Sequence, residues 1–321
     1  MMGWTHRHAR YLFRILSKKA MLYTEMITTG ALLRSEQAYQ QQLLAYHPAE
    51  HPIAMQLGGN HPESLAECAY IAQDQGYDEI NLNVGCPSHQ VRSGQFGAAL
   101  MARPAEVEAI LVKIRQRVSI PVTVKCRIGI DDQDIDQDLN RFVHALTRGG
   151  VDALIVHARK AWLHGMNPKA NRTLPPLNYA RVYQLKQEFP KLEIVINGGI
   201  TSIKAAQDHL HHVDGVMLGR SIWQNPWLLC PVDAVLFGQI DQAPDLKCCL
   251  QRYRDYVADE LSTIQKIKTT PRDCNTTRIL QPTLRLFTGM SGAKRIRKHL
   301  CQSGQTPQQA LHTLTEIISM L

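Results

Sequence analysis

Residues 104–125 hold the helical run Val107-Glu108-Ala109-Ile110-Leu111-Val112-Lys113-Ile114 and then the short run Val122-Thr123-Val124-Lys125. Val107, Ile110, Leu111 and Ile114 recur at the three-and-four spacing that puts them on one face of a helix. The second run is short, rich in β-branched residues and closed by a polar one, which reads as a strand. Working outward, the same alternation extends from about residue 20 to 235. The other strand candidates are Leu22–Met26, Ile53–Leu57, Ile80–Asn83, Ala153–His157, Ile194–Asn197 and Gly215–Leu218, with helical stretches such as Glu63–Gln75 and Pro104–Arg117 between most of them. Repeated β-then-α units imply a parallel sheet. Seven strands over roughly 200 residues predict an α/β fold of the TIM (β/α)8 barrel type; a doubly wound open sheet is the structural alternative. Trp4–Lys18 reads as the first helix, so the barrel's first strand is expected to be truncated to Met1-Met2 or to lie before Met1.

After Asp241-Gln242-Ala243-Pro244 the strand-like runs vanish, and Cys249–Ile267, Asn275–Thr288 and Thr306–Leu321 look helical. Arg285, Lys294, Arg295, Arg297, Lys298 and His299 cluster there. The expected organisation is a catalytic barrel over 1–240 and a small all-helical domain with a basic face over 241–321. The net charge of +8 points to a polyanionic partner, nucleic acid first; a basic surface kept for solubility is the plainer account. No apolar run approaches the roughly 20 residues of a membrane span, and Met1-Met2-Gly3-Trp4-Thr5-His6 has no secretory pattern. None of the eight cysteines forms a Cys-x-x-Cys pair, which argues against zinc, iron–sulfur or any other metal and fits a reducing cytoplasm. A monomer is expected.

Gln56, Asn83, Lys125, His157 and Asn197 close successive strand candidates. In a parallel barrel all strands end on the face where active sites are built, so these five side chains should converge. A strand that merely ends where polarity rises would explain any one of them. Asn197-Gly198-Gly199 opens a helix, and Gly219-Arg220 follows the last strand. Bare backbone at a helix N-terminus, with an arginine nearby, suits the phosphate of a cofactor; tight-turn glycines are the plainer reading. The Rossmann glycine fingerprint is absent. Cys86 lies between Gly85 and Pro87, directly after a strand, so it is loop-borne and reachable. Its thiol could donate a proton or act as a nucleophile. Cys68, Cys230 and Cys301 read as packing, and Cys126 should point away from Lys125.

The run Asn81-Leu82-Asn83-Val84-Gly85-Cys86-Pro87, with Gly94 and Gly97 after it, resembles the signature of tRNA-dihydrouridine synthases. Trp4-Thr5, Tyr23-Thr24-Glu25-Met26, Gln56-Leu57-Gly58-Gly59, Val124-Lys125-Cys126-Arg127, His157-Ala158-Arg159, Asn197-Gly198-Gly199 and Gly219-Arg220 match in order. Ile128-Gly129-Ile130-Asp131-Asp132, Lys160-Ala161-Trp162-Leu163, Asn171-Arg172 and Pro175-Pro176-Leu177 are similar to the A subfamily. The resemblance implies an FMN-binding barrel, NADPH as reductant, and tRNA uridines 20 and 20a as substrates. It implies that Cys86 protonates carbon 5 after hydride reaches carbon 6. It assigns Gln56, Lys125, His157, Asn197, Gly198, Gly199, Gly219 and Arg220 to FMN, with Met1 and Met2 standing in for the family's first-strand turn. Asn83 would contact the target base; Asn171, Arg172, Pro175, Lys294, Arg295, Arg297 and Lys298 would meet substrate or tRNA. His6 stands where the family commonly carries an acidic residue. The rival readings are an FMN barrel oxidoreductase acting on a small molecule, similar to dihydroorotate dehydrogenase, and a tRNA-binding protein with impaired catalysis.

Overall fold

The computed structural model describes residues 1–88, 91, 93–239, 244–266, 276–302 and 306–321. The chain divides into two compact units, one of Tyr23–Leu44 and Ile53–Gly219, the other of Met1–Leu22, Ala45–Pro52 and Arg220–Leu321. The expected boundary at 240/241 lies outside the described residues, as do Ile267 and Asn275, where two helices were expected to end and begin.

The strands of the sheet are β1 (Leu22–Tyr23), β2 (Ile27–Thr28), β3 (Ile53–Gly58), β4 (Glu79–Asn83), β5 (Val122–Arg127), β6 (Ala153–His157), β7 (Glu193–Asn197) and β8 (Gly215–Met217); β2 to β8 lie in the first unit. The order is β1-β3-β4-β5-β6-β7-β8, with β2 also on β3. The registers from β2 to β8 are parallel. β1 and β2 share one partner, so eight strands fill seven positions of a TIM barrel. The single strand expected over Leu22–Met26 is broken because a side chain takes over the ladder. Thr24 Oγ accepts the Gln56 N–H at 2.9 Å and donates to the Glu25 carbonyl at 2.8 Å. Among the described residues no strand precedes β1; Met1 instead forms a turn, its carbonyl accepting the N–H groups of Trp4 and Thr5.

Side chains alternate across each strand. One parity is aliphatic: Met55 and Leu57, Ile80 and Leu82, Val122 and Val124, Leu154 and Val156, all 0% exposed. The helix Pro104–Arg115 buries the four residues that the sequence pattern selects, each contributing about 2 kcal/mol. The amino ends of the strands are tied by a repeated clasp. Asp78, Asp152 and Asp214 each accept the N–H of the first or second residue of the preceding strand, Ile53, Val122 and Ile194, at 2.6–2.8 Å. Each also donates its own N–H to that residue's carbonyl.

The second unit contains the helices Arg7–Leu16, Leu246–Lys266, Ala293–Gln302 and Pro307–Met320. Arg10 and Glu50 form a buried ion pair at 2.6 Å. Asp233 accepts from Ser17 Oγ at 2.5 Å and from the Lys18 N–H at 2.6 Å. Trp4 stacks on Trp223. His6 is buried, and its ring is pushed down to about 3 by that burial, with the cations of Arg278 and Arg10 adding to it. A neutral ring therefore stands at this position. Among the described residues no helix is long and apolar enough to cross a membrane.

Candidate active site

The polar parity of the same strands builds the site. Asn83, His157 and Asn197 end β4, β6 and β7, whereas Gln56 and Lys125 lie two residues inside the ends of β3 and β5. The sheet register pairs Asn83 with Lys125 and His157 with Asn197. Gln56 Oε1 accepts from Asn83 Nδ2 at 2.9 Å. Lys125 Nζ donates to Asn197 Oδ1 at 3.1 Å, and Asn197 Nδ2 donates to the Met217 carbonyl at 2.7 Å. Burial pushes the Lys125 ammonium down to about 8, and the Arg127 cation adds to the shift. Lys125 thus remains a cation at neutral pH, with a proton it holds loosely.

Asn83 Oδ1 accepts the N–H groups of Gly85 at 3.2 Å and Cys86 at 3.0 Å, which sets the first turn of the loop after β4. Gly85 is favoured by close approach: a Cβ there would sit 3.3 Å from the Cys126 backbone, a tight contact. Gly97 adopts φ +62°, and a Cβ there would lie 2.7 Å from the Cys86 carbonyl, which accepts the Ala98 N–H at 3.0 Å. Cys86 is half-buried, with Sγ 3.5 Å from Ser88 Oγ. Burial pushes the Cys68, Cys126 and Cys249 thiols up to about 12 and Cys230 up to about 11. These four are poor proton donors at neutral pH. Arg127, which the strand-end reading passed over, joins three segments. Its guanidinium is buried and donates to the carbonyls of Gly85 at 3.1 Å, Lys160 at 3.1 Å and Asn171 at 2.9 Å.

After β7, Gly198 and Gly199 take φ +116° and +69°. A Cβ on Gly198 would lie 2.6 Å from the His157 ring, so the turn admits only bare backbone. Ser202 then caps the helix Ile203–Leu210. Asn171 is fully buried, its amide holding Trp162, Met166 and Asn167, and it supports the loop rather than facing outward. Arg172 is exposed beside it, and Pro175 is buried with its carbonyl bonded to Arg159. Gly219 ends the segment of the barrel unit. Arg220, Met1 and Met2 belong to the other unit. Within that unit's helix Ala293–Gln302, Lys294, Arg295 and Lys298 are exposed, and Arg297 is half-buried with Nε on the Ala293 carbonyl.

A parallel β/α barrel that gathers amides, a half-buried cation and a loop cysteine at the carboxyl ends of its strands defines a TIM-barrel enzyme. The dihydrouridine synthase (Dus) family model matches residues 1–319, and the chain belongs to that family. It is 44% identical over 322 residues to the tRNA-dihydrouridine(20/20a) synthase of Vibrio parahaemolyticus, covering 100% of this chain and 95% of that protein. The protein of the same name from Shewanella oneidensis is 46% identical, covering 94% of this chain and 87% of its own length. That from Escherichia coli K12 is 45% identical, covering 100% and 90%. A solved 2-naphthoyl-CoA reductase complex with 2-naphthoyl-CoA superposes with a TM-score of 0.55 at 13% identity, over 76% of this chain and 48% of that one. That likeness is one of fold.

Proposed function

We propose that this protein reduces uridine to 5,6-dihydrouridine in the D loop of tRNA, at positions 20 and 20a, as a cytoplasmic enzyme using FMN and NADPH. The observation that carries the reading is Cys86, the half-buried thiol on a loop held by Asn83 and Arg127, in a chain that matches the dihydrouridine synthase family over residues 1–319.

The residues present fit FMN. Lys125 offers a cation in a pocket of amides, suited to an electron-rich ring. Gly198 and Gly199 offer bare backbone ahead of a capped helix, suited to a phosphate. His157, Asn197 and Gln56 complete that set, with Gly219 at the next strand end. When bound and reduced by NADPH, FMN would supply the hydride. Cys86 gives the thiol proton to carbon 5 of the uracil as carbon 6 gains the hydride, and the thiolate recovers a proton from water. Asn83 has one N–H beyond its bond to Gln56 and can donate it to a base carbonyl. The target base leaves its stack to reach this depth. Arg172 and the exposed Lys294, Arg295 and Lys298, with Arg297, supply phosphate contacts.

The Cys86→Ala variant tests the assignment. Flavin content and reduction by NADPH should stay at the wild-type level, while tRNA turnover should fall by about a hundredfold or more. Wild-type turnover in the variant would remove Cys86 as the acid. Mapping dihydrouridine by mass spectrometry in tRNA from cells lacking the gene tests the substrate; unchanged positions 20 and 20a, with no second enzyme covering them, would overturn it.

A further inference from the structure

Beneath the strand ends runs a continuous chain of hydrogen bonds. Asn83 Nδ2 donates to Gln56 Oε1 at 2.9 Å, and Gln56 Nε2 donates to Asn81 Oδ1 at 3.1 Å. Asn81 Nδ2 donates to Thr123 Oγ at 2.8 Å, and Thr123 Oγ donates to Glu79 Oε1 at 2.5 Å. The other acceptor open to Thr123, the Ile80 carbonyl, lies at 3.4 Å. At its upper end the chain starts from the Gly85 and Cys86 N–H groups on Asn83 Oδ1. Glu79, Asn81 and Asn83 are alternate residues of β4, and the register pairs Asn81 with Gln56 and with Thr123. All five side chains are at most 9% exposed.

The direction of this chain is forced. Two backbone N–H groups require an oxygen from Asn83, so its nitrogen must point to Gln56. Each amide in turn passes a donor to the next, and the hydroxyl of Thr123 does the same. Such a series must end on an acceptor, and the Glu79 carboxyl supplies it at Oε1. Tyr23 also bonds to Glu79. The amides leave one N–H each on Gln56 and Asn83, so the direction fixes what the site presents to a ligand. The chain is not a proton relay, because it passes through three carboxamides and ends on backbone nitrogen.

We propose that Glu79, acting through Thr123, Asn81 and Gln56, is a positioning residue that fixes the orientation of the Asn83 amide and hence of the Cys86 loop. This rests on the dihydrouridine synthase reading of that loop. Thr123→Val keeps the side-chain shape and cuts the chain; Thr123→Ser restores the hydroxyl. In the flavin-loaded enzyme, single-turnover oxidation by tRNA should slow about tenfold in Thr123→Val. It should return to within about twofold of wild type in Thr123→Ser, with flavin reduction by NADPH unchanged in both. Combining Thr123→Val with Glu79→Leu, which removes the terminal acceptor, should slow the reaction no further, because both break one chain. If Thr123→Val does not hold flavin, Glu79→Leu alone carries the test with the same expected slowing. Wild-type oxidation rates in the variant used, or log-additive effects in the double variant, would overturn the proposal. Wild-type enzyme that makes no dihydrouridine would instead overturn the proposed function.

Discussion

Lys125 should make stability and activity move in opposite directions with pH. Its ordinary value is 10.5, and the folded protein lowers it to about 8, chiefly by burial and then through Arg127. Below about 8 both folded and unfolded chains hold the proton, and the folded state bears a desolvated charge. Between about 8 and 10.5 the folded protein has released that proton while the unfolded chain still binds it, so stability rises with pH across this window. For a pair of values at 8 and 10.5, the gain between pH 7.5 and pH 10 is about 2 kcal/mol. Lys125→Met removes the titration, so the comparison of the two proteins isolates it from every other group. Urea midpoints at the two pH values give the difference: the gap should shift toward wild type by about 2 kcal/mol at pH 10. Over the same interval wild-type turnover should fall, because the cation offered to the flavin is lost. A stability gap that stays constant between the two pH values would refute the burial argument. A gap that shifts while turnover stays flat would leave burial intact and remove Lys125 from the chemistry.

Gly97→Ala forces a Cβ to within 2.7 Å of the Cys86 carbonyl at φ +62°, so the loop must move; stability should fall by at least about 1–2 kcal/mol. A thermal midpoint together with tRNA turnover checks this, and wild-type values for both would show that the loop has slack. Replacing Lys294, Arg295 and Lys298 by alanine should weaken tRNA binding and reduce the log–log salt slope by about 2 to 3; titrations at several salt concentrations measure it, and an unchanged slope would take this helix out of the interface.

The barrel was legible because its longer strands have an aliphatic parity and helices such as Pro104–Arg115 an aliphatic face, and both periods survive in the raw sequence. Val107, Ile110, Leu111 and Ile114 are buried as their spacing requires. The strand ends were harder to place. Reading β5 as closed at Lys125 treats a polar residue as the end of burial, yet the strand continues to Arg127, whose charge is met by three carbonyls from other loops. Partners so distant in sequence leave no local trace. β4 begins at Glu79 rather than Ile80 for the same reason: its carboxylate is matched by Thr123 and Tyr23. The aspartate clasp did leave a trace, Tyr77-Asp78, Val151-Asp152 and Val213-Asp214 each standing just ahead of a strand. Its meaning needs the register. In β1 and β2 the pattern was legible and the ladder was not, since Thr24 replaces a backbone acceptor with its own hydroxyl.

The inner layer between β3, β4 and β5 also departs from the branched aliphatic filling usual in such barrels. Gln56, Glu79, Asn81, Asn83, Thr123, Lys125 and Arg127 stand there instead, every one of them bonded to another side chain or to a loop carbonyl. A buried polar layer is tolerable only when its members are satisfied together, since one unpaired group costs more than one good bond returns. Burial raises the Glu79 carboxyl above its ordinary range, against the lowering by its Thr123 and Tyr23 bonds, so the layer carries a real desolvation cost. What that cost secures is register. Aliphatic side chains would accept a strand shifted by two residues with modest repacking, because the face is unchanged. A two-residue shift of β4 would put Asn83 where Asn81 meets Gln56 and Thr123, and would strand Glu79 from its donors. The aliphatic parity therefore makes the sheet, while the polar parity selects the single register in which Asn83 stands beneath the Cys86 loop and beside Lys125.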